Sequence, residues 1–274
     1  MTKLLEWLKN IGRIEKIIKR QLYQDFLIAL RTHSPDHLLL KGYGVYSQND
    51  EDGIIQEIFK RIKTKNRVAV EIAVGSGLES NTHLLLQTGW QCYWFESSSS
   101  LVEQIKLHFT HWLKNKRLIL TAGRVEEKSI EHLFRDCKIP KGVDLLSLDI
   151  DGQELSLWNA VASWKPRVVV IEYNGALGPD VVVAAQTNVS EAWDNHSMNF
   201  GASLQAICRV ADRLGYSLVC CNYTGVNAFF VQKKYASKFS NANQAEDLFQ
   251  PPRLGDYIKT GFQRTPFVWQ QQHD

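Results

Sequence analysis

The chain has 274 residues, 44% hydrophobic, 22% charged and 11% aromatic, with 32 basic side chains against 29 acidic ones. A chain of this size buries roughly 75% of its unfolded surface, so it holds a full core without staples. The balance excludes collagen-like, disordered and disulfide-scaffold classes, and a net charge of +3 demands no nucleic-acid partner.

Cys92, Cys137, Cys208, Cys220 and Cys221 show no C-x-x-C spacing, and most lie in apolar runs where a thiol packs as a small hydrophobe. Neither a zinc site nor a disulfide framework is expected, and a reducing, cytoplasmic setting is. The N-terminal residues lack the pattern of a secretory signal, and no run approaches the roughly 18 apolar residues that span a bilayer.

Leu4, Leu8, Ile11, Ile14, Ile18, Leu22, Phe26 and Leu30 recur at three- and four-residue steps, the period of one helix face. Lys3, Lys9, Arg13, Lys16, Lys19 and Arg20 fill other faces, opposed there only by Glu6 and Glu15. The stripe is expected to dock on the domain or on a second subunit, as in a homo-oligomer. The alternative is contact of residues 1–30 with an anionic membrane surface. Residues 1–40 thus read as a helical extension, and HSPDHLLLKGYG, broken at Pro35 and Gly42, as a linker. Asn49 and Asp52 are spaced like a helix cap before Ile54, Ile55, Ile58 and Phe59.

From residue 67 strands and helices alternate. RVAVEIAV ends in Gly75-Ser76-Gly77 before a helix near Ser80, and QCYWFES ends at Glu96 before a helix to about Trp112. RLILTAG precedes a helix around Ile130 to Phe134, VDLLSLDID precedes one from Glu154 to about Ser163, and RVVVIEYN is a fifth strand. This spacing implies parallel βαβ units in a doubly wound sheet. After an irregular stretch over 175–200 comes a helix that stops at Gly215. YSLVCCN and VNAFFVQ then read as an antiparallel hairpin at the sheet edge. The fold class is α/β, Rossmann-like: a mostly parallel seven-stranded sheet with a C-terminal antiparallel hairpin, the layout of class I methyltransferases. The domain covers 41–233, and 234–274 reads as a packed tail.

In open parallel sheets a ligand lies beyond the carboxyl ends of the strands, where strand order reverses. Gly75 and Gly77 leave room there for close backbone approach, and Glu96, about twenty residues on, is placed to accept ribose hydroxyls. The pattern suits a nicotinamide dinucleotide or S-adenosylmethionine. Glu71 and Glu79 flank the glycines, and an acid near a helix N-terminus repels a pyrophosphate. Glu71 and Asp149 would welcome a sulfonium and an ammonium instead, so the charge pattern favours S-adenosylmethionine.

Asp149 and Asp151 alternate onto one side of an extended chain, and Glu172 and Asn174 end the next strand. Asp149, Glu172 and Asn174 are candidate ligands for Mg²⁺, Ca²⁺ or another divalent cation, which would activate a coordinated hydroxyl. The alternative puts Asp149 at the cofactor amine and Asp151 at a helix cap, with Glu172 and Asn174 lining the cleft. Asp151, Glu172, His83 and His196 are the candidate bases, with His83 expected in a core or capping role. Asp149-x-Asp151 is also the pattern of metal-dependent glycosyltransferases. A non-catalytic module that docks a partner through its N-terminal helix is the third reading.

The motifs resemble the FkbM-like methyltransferases. The matching pieces are YSQNDEDGIIQEIF (46–59), VEIAVGSGLESNT (70–82), YWFES (93–97), LLSLDIDGQELSLW (145–158) and PRVVVIEYN (166–174), followed by GASL (201–204), GYSLV (215–219) and GVNAFFV (225–231). The resemblance implies S-adenosylmethionine as cofactor and O-methylation of a hydroxyl on a sugar or other natural product, a small-molecule or glycan acceptor. By position it implies a cofactor loop of Glu71, Gly75, Ser76 and Gly77, with the ribose at Glu96 and Ser97. Residues 121–125, including Arg124 and Val125, would border the adenine, and Asp149 would lie at the methionine end. Ala73 departs from the family by standing where such loops commonly have glycine, which implies weaker cofactor affinity.

Overall fold

β-branched and aromatic side chains build most strands of the sheet, while β4 is built of leucines around Ser147. β1 (Val68–Ile72), β2 (Gln91–Glu96), β3 (Leu118–Ala122), β4 (Leu145–Leu148) and β5 (Val168–Glu172) run parallel. β7 (Asn227–Gln232) pairs antiparallel with β5 on one side and with the edge strand β6 (Tyr216–Cys221) on the other. The resulting order is β3-β2-β1-β4-β5-β7-β6. The computed structural model describes residues 2–150, 152–184, 201–243 and 245–253, with residues 2–11 and 13 described by their backbone alone.

Alternation along the strands divides the core into two layers. Val68, Val70 and Ile72 of β1 face one cluster and Ala69 the other; Tyr93 and Phe95 of β2 oppose Cys92 and Trp94 in the same way. Val169 and Ile171 of β5 likewise oppose Val168 and Val170. Apolar side chains on both faces need cover on both faces, which is what parallel sheets require. α6 (Glu127–Asp136), α7 (Glu154–Ala160) and α8 (Leu204–Leu214) cover the first face. α2 (Glu51–Ile62), α3 (His83–Gln87), α4 (Ser99–His108) and α5 (Thr110–Lys114) cover the second. α8 stops where expected, on Gly215 in the left-handed region at φ +88°.

α1 (Thr2–His33) is the long N-terminal helix foreseen from its periodicity. Its C-terminal half docks: Tyr23, Phe26 and Leu30 pack on the second cluster, with Tyr23 and Phe26 rings 4.6 and 5.1 Å from Tyr223. The segment read as a linker is a packed turn instead. Leu38 and Leu39 are buried in a 3-10 turn because two consecutive leucines gain more by entering the second cluster than by staying solvated. The described part of the tail runs through α9 (Ala245–Leu248) to Arg253: Leu248 is fully buried and Tyr173 Oη donates to the Gln250 carbonyl at 2.7 Å. Tyr257, Phe262, Phe267 and Trp269 lie outside the described residues.

Two buried acid clusters fix the ends of the sheet. At the amino edge, Asp144 accepts the N–H groups of Lys65, Asn66 and Arg67 and pairs with the Arg167 guanidinium, which also donates to the Lys63 and Ile62 carbonyls. At the opposite end, Asp52 does not act as the expected helix cap. Its Oδ2 accepts from Val45, Tyr46 and Ser47 N–H, while Glu51 accepts from Asn49, Asn222 and Asn227. The Tyr46–Asp52 motif therefore knots the entering chain to the β6–β7 hairpin.

Candidate functional site

Strand order reverses between β1 and β4, which opens a crevice at their carboxyl ends. A cavity of about 250 Å³ lies there, lined in part by Ile72, Ala73, Ser97, Gly123, Arg124, Val125 and Asp149. A larger cavity of about 970 Å³ runs along α8, lined by helix flanks and by Tyr216, Leu218 and Phe230. No residue from the carboxyl end of a parallel strand enters that one, so the smaller cavity is the candidate site.

The loop after β1 turns through three left-handed residues, Ala73, Gly75 and Gly77, at φ +60°, +65° and +73°. Gly77 is required by contact as well as by angle, because a Cβ there would come within 2.5 Å of the Trp94 ring. Gly75 is different: nothing lies within 4 Å of where its Cβ would stand. Gly123, at φ +136°, has the same open side and lines the cavity. Gly123 therefore lets a ligand in the cavity meet bare backbone, while Gly75 leaves the turn beside it uncluttered. Ala73 adopts the left-handed turn with a Cβ attached, a conformation that costs about 1–2 kcal/mol in an L-residue.

Glu96 is buried and holds this loop. Gly75 N–H donates to its Oε2 and Ser98 N–H to its Oε1, each at 2.8 Å. The carboxylate thus braces the glycine turn against the start of α4 and does not itself line the cavity, whereas its neighbour Ser97 does. Each oxygen keeps a further lone-pair direction after one N–H bond.

Glu71 is committed in a similar way. It accepts from the Asn81 and Thr82 backbone N–H groups and from Thr82 Oγ1, and Trp94 Nε1 donates to the same hydroxyl at 2.7 Å. Burial pushes its carboxyl up to about 7, against the pull of these bonds and with nearby Asp149 adding to the rise. Glu154, which the sequence reading placed only at a helix start, is the third acid. It accepts from Ile150 and Gly152 N–H, and burial pushes it up to about 8, with Asp149 again raising it. Glu71, Asp149 and Glu154 therefore gather three acids at the ends of β1 and β4, and the raised values keep Glu154 mostly protonated at neutral pH. Arg124 stands on the cavity wall, 3.5 Å from Glu126.

The other candidates separate. Ser76 Oγ accepts from Leu78 N–H within the loop. His83 has the packing role expected of it, stacked on Tyr46 at 3.8 Å and edge-on to Phe109. Asn174 accepts Ala176 N–H through Oδ1 and caps its own 3-10 turn, and Glu172 sits opposite Asn227 across β5 and β7. The cation reading of Asp149, Glu172 and Asn174 is not supported: among the described residues no three His, Cys, Asp or Glu stand together as metal ligands. Asp151 and His196 lie outside the described residues, as does 185–200 of the irregular stretch.

No family model and no curated protein matches the sequence. Among solved structures, a proposed caffeoyl-CoA O-methyltransferase from Staphylococcus aureus overlaps 80% of this chain and 99% of its own at 14% identity and TM-score 0.46. The methyltransferase domain of bacterial CtHen1-C overlaps 66% and 97% at 15% identity and TM-score 0.42. The glycopeptide N-methyltransferase MtfA with S-adenosyl-L-methionine overlaps 65% and 86% at 13% identity and TM-score 0.38. The seven-stranded order with an inserted antiparallel β7 is itself the sheet expected of the class. The fold is Rossmann-like, of the class I methyltransferase type. No helix among the described residues is long and apolar enough to cross a membrane.

Proposed function

We propose that this chain is an S-adenosylmethionine-dependent methyltransferase of the FkbM-like kind that methylates a hydroxyl of a sugar or other natural-product acceptor. One observation carries the reading: a strand-end cavity lined by the left-handed Ala73 turn, the bare backbone of Gly123 and Asp149, with the acids Glu71 and Glu154 close to Asp149. An open glycine admits a nucleoside, and a group of acids that ionise as pH rises suits a cationic ligand better than a pyrophosphate. Bound there, the cofactor supplies a methyl group activated by a positively charged sulfur.

The chain's own groups do the rest. Glu96 sets the glycine turn from behind, and Ser97 beside it faces the ribose. Residues 121–125 border the adenine, and Asp149 faces the methionine amine. The acceptor enters from the side of Glu172, and Asp151, Glu172 or His196 takes the hydroxyl proton. The catalytic unit is 41–233, with 1–40 and 234–274 as its flanking segments. Transfer of tritiated methyl from S-adenosylmethionine to glycan and lipid extracts tests this reading. Labelled acceptor with the wild type and none with Asp151→Asn supports it, provided cofactor affinity is retained. Equal labelling by both removes Asp151 from the mechanism, and no label in any extract counts against the transfer.

A further inference from the structure

α1 carries two apolar faces, and the domain covers one. Tyr23, Phe26 and Leu30 lie against the second cluster, with the Arg253 guanidinium 5.4 Å from the Phe26 ring. Ile14, Ile18 and Leu22 form a separate line at four-residue steps, roughly a third of a turn away. Each is more than half exposed, as are Ile17 and Ile28 beside them, and these five make up most of the exposed large hydrophobics among the described residues. Rotating the helix to hide the line would pull Tyr23 and Phe26 off Tyr223, so the domain cannot satisfy both faces.

We propose that α1 seats this protein on the surface of an anionic phospholipid bilayer through the Ile14–Ile18–Leu22 line. Charge selects that occupant. Lys3, Lys9, Arg13, Lys16, Lys19 and Arg20 meet only Glu6 and Glu15 in the same stretch, and Glu15 is already paired with Lys19. Two such helices facing each other would bring like charges together, whereas an anionic surface attracts them and takes the apolar line into its interface. The helix lies on the bilayer and does not cross it, since it has no window apolar enough to span. Its docked half rests on the β6–β7 hairpin, whose turn stands at the carboxyl end of β5, the end of the sheet that carries the cavity. An acceptor presented by a membrane would meet the cleft from there; that extension alone rests on the methyl-transfer reading.

Co-sedimentation of the full chain with vesicles tests the proposal. The wild type should pellet with phosphatidylcholine–phosphatidylglycerol vesicles and not with phosphatidylcholine alone. Ile18→Glu, and separately Lys16→Glu with Arg20→Glu, should each weaken binding at least tenfold. Leu22→Gln serves as a second apolar variant should Ile18→Glu fail to fold. Calorimetric affinity for S-adenosylmethionine should stay at the wild-type value in all of them, which separates loss of lipid contact from loss of the cleft. Failure of the wild type to pellet, equal pelleting with both vesicles, or variants that bind like the wild type would each overturn it. So would a lipid-free dimer in sedimentation velocity that Ile18→Glu converts to monomer, since a second copy would then be the occupant.

Discussion

Gly75 donates its N–H to Glu96 Oε2 across 2.8 Å, so the carboxylate at the end of β2 sets the shape of the turn that follows β1. Hydrogen bonds to a charged group contribute about 1.5–3 kcal/mol, and leaving the donors buried adds cost. Glu96→Ala frees both the Gly75 and Ser98 N–H groups. Chemical denaturation should show a loss of about 2–3 kcal/mol, and titration calorimetry should show cofactor affinity reduced at least tenfold.

Ala73 is a place where the sequence works against its own backbone. At φ +60° a glycine is relieved of the Cβ clash, although it loses more chain entropy on folding. Ala73→Gly should leave stability unchanged or raise it by up to about 1 kcal/mol, and it removes a methyl from the cavity wall. Cofactor binding should tighten several-fold. A weaker-binding Ala73→Gly would mean that the methyl group contacts the ligand favourably.

The raised carboxyls at Glu71 and Glu154 make two pH dependences. With folded values of about 7 and 8 against ordinary values near 4.5, the native state holds more protons than the unfolded chain between those limits. Stability therefore falls as pH rises from about 4.5 to 8, each pKa unit corresponding to about 1.4 kcal/mol. Glu154→Gln keeps an acceptor for Gly152 N–H and should flatten that decline in thermal melts. Binding of a cation runs the other way, because ionised acids attract it. Affinity for S-adenosylmethionine should climb from pH 6 to 8, more steeply than affinity for S-adenosylhomocysteine, which lacks the sulfonium.

Asp144 and Arg167 form a pair whose halves are not equivalent. Asp144→Ala strands a buried guanidinium and three backbone N–H groups, and should cost about 3–5 kcal/mol in urea denaturation. Arg167→Met leaves Asp144 its three N–H partners and should cost less. Equal losses would contradict this division of roles.

The parallel strands and the hairpin were legible because their periods are local. β-branched runs with both neighbours buried have few other uses, and Gly215 marks its helix end in the sequence itself. Residues whose role depends on distant partners were not. Glu154 reads as a helix-start acid, yet its environment comes from Asp149 and from the turn before α7. Gly123 falls inside the 121–125 stretch that the family resemblance sets beside the adenine, but only the approach of the chain after β3 to the crevice makes its open side matter. Asp52 has the spacing of a cap, but its acceptor oxygen is taken by three N–H groups upstream. Leu38 and Leu39 sit among turn residues, so composition alone hides their burial.

Titration calorimetry of the full chain with S-adenosylmethionine and S-adenosylhomocysteine tests the central claim most directly. The cavity between Ala73 and Gly123 predicts one saturable site for each ligand, weakened by Glu96→Ala. Absence of heat with both ligands, with the protein folded by circular dichroism, would contradict it.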